Sequence, residues 1–210
     1  GLTPAYRITP VLKSARFQLQ KEIPEKTYYL PFVMEPYVSP ENKSYCKEGK
    51  IHLFSIGKYQ KRKNHELIIR VAERLSRKYP IHLTIAGEVS DTIQEEYYLK
   101  LKKYIEVNLL ADKIVLYRDL NRERIFELYK EADLFVLPST DEPAAVSHLE
   151  AMAFSLPVIS GEDNGTADYI INGENGFIFK NNDEQDLYEK IENIISDRKN
   201  ILTMGRRSYE

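Results

Sequence analysis

The sequence has a single cysteine, Cys46, in 210 residues. No internal disulfide is possible, and a reducing compartment fits such a chain best. It also lacks any apolar run near the roughly 18 residues that a membrane span needs. No signal-peptide pattern opens the chain, so a cytoplasmic placement is expected. An excess of positive charge is missing too: 30 Lys and Arg stand against 32 Asp and Glu, a net charge of -2. Proteins that bind phosphate backbones carry a basic excess, so nucleic acid is not the expected partner. No internal repeat or low-complexity tract is present. The charges are interleaved, as on solvated helix faces.

The length suits one good domain, or one domain plus a piece of another. Residues 1–48 lack a clean period, with a helix-like segment at Val11 to Lys21 and a strand-like "TYYLPF". The turn-rich "MEPYVSPENKSYCKEG" reads as a linker. From residue 49 the chain becomes regular. Strands are expected at Ile51 to Ile56, Ile81 to Ala86, Lys113 to Tyr117, Leu134 to Leu137, Pro157 to Ser160 and "GFIF". Helices alternate with them, and Leu67, Ile68, Val71, Ala72 and Leu75 fall on one face of the first. Apolar strands alternating with amphipathic helices imply an α/β, Rossmann-like, doubly wound parallel sheet of about six strands. Ligands of such sheets bind beyond the carboxyl ends of the strands.

After the first strand comes "SIGKYQKRKNHE", with Gly57 followed by Lys58, Lys61, Arg62 and Lys63. A cationic turn entering a helix suits a diphosphate, but it suits solvent equally, and alone the solvated turn is the simpler reading. Neither a Walker loop nor a Gly-x-Gly-x-x-Gly fingerprint is present. Gly87, closing the second strand, admits a base or ribose close to the backbone, or is a plain turn. "STDEPAAVSHLEAMAFSLPVIS" is richer, with Glu142 and Glu150 separated by seven mostly small residues. Pro143 belongs in a first helical turn, so a helix is expected to begin around Glu142 to Ala145. The amides of Ala144, Ala145 and Val146 would then form an anion site. Along a helical path the two glutamates stand ~12 Å apart. Hydroxyls at both ends with an anion between is the layout of a nucleotide sugar. The alternative is two solvated acids on a surface helix, but Glu150 lies in the apolar "LEAMAFSLPVI" and a carboxylate there needs a partner.

Together these segments resemble the retaining glycosyltransferases of family 4, also called glycosyl transferase group 1. The resemblance spans about Ile51 to Ile201 and follows their C-terminal, donor-binding domain, half of a GT-B fold. "SIGKYQKRKNHELI" resembles the family's Gly-Arg…Lys-Gly/Asn loop, "EADLFVLPSTDEPAAVSHLEAMAFSLPVI" its Glu-seven-Glu segment, and "INGENGFIF" the stretch that follows. The resemblance implies a site in which Lys58 and Lys63 neutralise the diphosphate and Glu142 contacts the sugar, these three being the catalytic candidates. Gly57, Gly87, Ala144, Ala145, Val146 and Glu150 are the donor-binding candidates, with Glu150 on the ribose hydroxyls. Transfer with retention would let the leaving diphosphate take the acceptor's proton. No metal or cofactor is implied beyond the nucleotide diphosphate sugar itself.

The sequence departs from the family at Pro143-Ala144-Ala145, where Gly-Phe-Gly is usual, and this bears on donor identity. Residues 1–48 are expected to be the tail of an N-terminal acceptor domain plus linker, and 49–210 the nucleotide-sugar-binding domain. A chain with that makeup binds donor and scarcely turns it over. The expected partners are a nucleotide sugar and a glycan or lipid-linked acceptor, in bacterial surface polysaccharide or lipopolysaccharide synthesis. A monomer is expected, within a parent peripheral at the inner membrane face. Rival readings are a nucleotide-sugar epimerase of GT-B form, a non-catalytic nucleotide-sugar-binding module, and, ranked low, a glycoside hydrolase. His148 is expected to pack near the site, His52 and His82 to be structural, and His65 to lie on the surface.

Overall fold

The computed structural model describes residues 33–210. Both the Val11 to Lys21 segment and "TYYLPF" lie outside them. Six strands run β1 (Ile51–Ile56), β2 (Ile81–Gly87), β3 (Ile114–Arg118), β4 (Leu134–Leu137), β5 (Val158–Gly161) and β6 (Gly176–Phe179). They form one parallel sheet in the order β3-β2-β1-β4-β5-β6. The helices are α1 (His65–Leu75), α2 (Thr92–Val107), α3 (Arg122–Glu131), α4 (Ser147–Ala153), α5 (Glu184–Ile195) and α6 (Arg198–Tyr209). The expected doubly wound architecture is the one found. The last helix, α6, was not read from the sequence.

The strand alternation explains the two cores. Leu53, Leu134, Val136 and Ile159 face one side, packed with α1, α2, α5 and α6. Their neighbours Phe54, Phe135, Leu137 and Val158 face the other, against α3 and α4. A period of two with both faces buried leaves no polar side for solvent. All five residues expected on the inner face of α1 are buried, and Ile69 and His65 with them. Covering the outer side of α1 as well are α2 and α5. His65 is a core residue, correcting its surface assignment: the loop after β1 covers it, with its Nε2 3.0 Å from the Gly57 carbonyl oxygen and its ring against Tyr59. Each buried Leu or Ile side chain contributes about 1.5–3 kcal/mol.

The turn-rich stretch ahead of β1 is firmly docked. Lys43 Nζ donates to the carbonyls of Tyr129 and Lys130 at 2.9 and 2.8 Å, capping the end of α3. Burial pushes this ammonium down to about 7, with Asp133 opposing. Asp133 in turn accepts from the backbone N–H groups of Cys46 and His52 at 2.6 and 2.7 Å. Cys46 is buried in this joint. No helix among the described residues is long and apolar enough to cross a membrane.

Candidate functional site

The sheet order reverses between β1 and β4, so the loops leaving these two strands diverge from a crevice at their carboxyl ends. The loop after β1 carries the cationic run, and the loop after β4 carries Glu142. They are tied together by a hydrogen bond from the Thr140 N–H to the Arg62 carbonyl at 2.8 Å. Side chains join across the same seam. Lys63 and Arg62 both donate to Oε2 of Glu142, Arg62 Nη1 at 3.1 Å. Glu142 is only 6% exposed. A carboxylate so deep in the protein needs its charge met, and here two cations meet it.

Glycines make this geometry possible. The stem of Lys63 crosses Gly57, where a Cβ would come within 3.0 Å of its Cδ. A Cβ on Gly87 would lie 2.3 Å from the Gly57 carbonyl oxygen. Gly87 is therefore required by the contact between the two loops, whatever ligand enters. Tyr59, which the sequence reading passed over, locks the loop from below. It is fully buried, and its hydroxyl donates to the Tyr117 carbonyl at 2.7 Å. Lys58 points elsewhere: it is half-exposed and pairs with Glu88 at 3.1 Å. The Glu88 carboxyl is held below its ordinary range by hydrogen bonds from Ser90 and Lys58.

The path from Glu142 to Glu150 departs from the expected helix. α4 begins at Ser147, so Pro143 to Val146 form a loop instead of a first turn. The cause is competition for their backbone groups by the segment after β5. Glu142 N–H donates to the Asp163 carbonyl at 3.1 Å, and Gly165 N–H to the Glu142 carbonyl at 2.9 Å. Ala145 N–H turns to Asn164 Oδ1 at 3.4 Å, and the Ala145 carbonyl accepts from Thr166 Oγ1 at 3.0 Å. The amide of Ala145 is thus engaged within the protein. Ala145 is buried, while Val146 is 44% exposed beside it.

Beneath this loop lies a buried polar network. His148 Nε2 sits 3.1 Å from the Thr166 carbonyl oxygen, an arrangement that fits the Nε2–H tautomer. Nδ1 then accepts from Asn164 Nδ2 at 3.3 Å, and the same amide donates to Ser160 Oγ at 2.8 Å. Burial drives the His148 imidazole down to about 4. It is a neutral brace for the loop, in the packing role expected for it. Glu150 has the partner that its apolar setting demands: the Tyr129 hydroxyl donates to Oε2 at 3.0 Å. Neither Tyr129 nor Asn164 was anticipated. Nothing in their local sequence marks them, since both act across long intervals of chain. Among the described residues no cluster of three or more His, Cys, Asp or Glu could hold a metal ion.

The chain is 32% identical over 154 residues to the capsular polysaccharide biosynthesis glycosyltransferase CapM of Staphylococcus aureus. That stretch covers 70% of this chain and 37% of CapM, so the chain spans little more than a third of that relative. Its fold superposes on the C-terminal domain of a glycosyl transferase group 1 family protein, LpcC, from Francisella tularensis, with a TM-score of 0.70 at 22% identity. The match covers 76% of this chain and 82% of that one. TarM of S. aureus, solved with fondaparinux, α-GlcNAc-glycerol and UDP, superposes with a TM-score of 0.77 at 20% identity, covering 95% of this chain and 38% of TarM. With the glycosyl transferases group 1 family matching over residues 41–210, the chain belongs to that family.

Proposed function

We propose that residues 49–210 form the donor-binding domain of a retaining family 4 glycosyltransferase, and that residues 1–48 are the tail of an acceptor domain plus linker. The reaction is transfer of a sugar from a nucleotide diphosphate sugar to a glycan or lipid-linked acceptor. The observation that carries this reading is the joining of Lys63, Arg62 and Glu142 across the β1 and β4 loops at the switch point of the sheet. A diphosphate entering there meets Lys63, with Lys58 at the rim. Glu142 and Glu150 flank the loop 143–146, on the sugar and ribose sides respectively. The protein's share of catalysis is to stabilise the departing diphosphate and hold the sugar in place, while that diphosphate takes the acceptor's proton. UDP in the TarM structure and the capsular role of CapM support a nucleotide-sugar donor and bacterial surface polysaccharide synthesis. The placement proposed is cytoplasmic, at the inner membrane face.

Calorimetric titration of the chain with UDP, GDP, ADP and their sugars tests the reading. One nucleotide is expected to bind, and Lys63→Ala and Glu150→Gln each to weaken it. Binding indifferent to both changes, or none to any nucleotide, overturns it.

A further inference from the structure

We propose that Arg62 is a positioning residue: it takes over the Glu142 carboxylate when Lys63 leaves that carboxylate for the donor's diphosphate. This rests on the donor-site reading above and adds to it a residue that the reading leaves without a role.

Two cations converge on one oxygen, Oε2 of Glu142. Their settings differ: the Lys63 side chain is 13% exposed and that of Arg62 41%. The stem of Lys63 is laid across Gly57, which brings its ammonium to Glu142 where the strands end. A diphosphate arriving there competes with Glu142 for that ammonium. If Lys63 were the only partner, its departure would strand a buried carboxylate, and donor binding would bear that cost. Arg62 removes the cost. Its guanidinium offers five donors in a planar fork and accepts a whole carboxylate, where an ammonium acts as a point charge. Its backbone is anchored independently of Lys63, by the Thr140 N–H of the loop that carries Glu142, so the guanidinium remains within reach of that carboxylate when Lys63 leaves. Each anion then keeps a cation: Glu142 stays with Arg62, and the incoming diphosphate takes Lys63.

Arg62 therefore supports binding without touching the ligand, which a double-mutant comparison reads directly. The chain is titrated with UDP, GDP and ADP, and the nucleotide that binds is used throughout. Arg62→Gln is expected to weaken binding about tenfold, and Arg62→Lys to restore most of it. In the Glu142→Gln background, which leaves no charge to strand, Arg62→Gln is expected to change nothing. An Arg62→Gln variant that binds like the native chain overturns the proposal. Equal weakening in both backgrounds also overturns it, because Arg62 then acts on the ligand itself. If no nucleotide binds the native chain, the donor-site reading falls, and urea denaturation decides separately whether Arg62 holds Glu142 once Lys63 is gone. Arg62→Gln should then cost more in Lys63→Met and Lys63→Gln backgrounds than in the native one, and equal cost overturns it.

Discussion

The Tyr129 hydroxyl donates to Oε2 of Glu150 at 3.0 Å, joining α3 to α4 beneath the crevice. Burial, with the carboxylate beside it, pushes the phenol well above its ordinary range, so it remains a donor at any working pH. It is the one hydrogen bond that Glu150 accepts from a described side chain. Tyr129→Phe keeps the stacking on Phe154, whose ring centroid lies 5.2 Å away, and removes only the hydroxyl, which also lies 2.9 Å from the Ser147 carbonyl oxygen. A loss of about 1–3 kcal/mol in urea denaturation is expected, the range for a polar group left unsatisfied.

Gly87→Ala tests the contact between the β1 and β2 loops. Its Cβ would meet backbone, the Gly57 carbonyl oxygen, and the ring of Tyr59, neither of which can swing aside. Overpacking of this kind costs about 1–3 kcal/mol. Thermal melting should fall by several degrees, and nucleotide binding should weaken with it, since Gly57 carries the stem of Lys63.

The lysines are not equivalent. Lys58 is half-exposed and paired at the surface, a kind of ion pair that contributes little. Lys63 is nearly buried at the switch point. Lys63→Ala should therefore weaken nucleotide binding tenfold or more, and Lys58→Ala by a smaller factor that shrinks further as salt is raised. Equal losses measured by calorimetry would place both cations on the diphosphate.

Acid should loosen the loop that carries Glu142. His148 and His65 are both held down to about 4 by burial, against 6.5 when exposed. The unfolded chain therefore binds more protons than the folded one between pH 6.5 and 4. Stability is lost as pH falls through that window, on the order of 3 kcal/mol for each histidine. Carboxylates titrate over part of the same range, so the difference from a variant isolates the effect. His148→Gln should be less stable than the native chain at pH 7, and its urea midpoint should fall less steeply down to pH 4.

The local pattern of residues was sufficient for the sheet and most of the helices. Leu53 and Phe54, or Val136 and Leu137, alternate between two cores, and such alternation is written residue by residue. Glycine at 57 and 87, the cations that follow, and the two glutamates also stood in plain view, because strand ends and loop chemistry are local. What the sequence alone did not determine lay wherever distant segments compete for the same atoms. α4 starts at Ser147 instead of near Glu142 because Asp163, Asn164, Gly165 and Thr166 hold the backbone of 142–145. His65 is buried because the loop after β1 folds over the start of α1, setting the Gly57 carbonyl and the Tyr59 ring against its imidazole, which no single-helix period reveals. The charge on Glu142 is met by Lys63 and Arg62, roughly 80 residues away, and that on Glu150 by Tyr129. Periodicity comes from the chain's own neighbours, whereas the partner of a buried carboxylate is settled only when the sheet order brings its loop beside another.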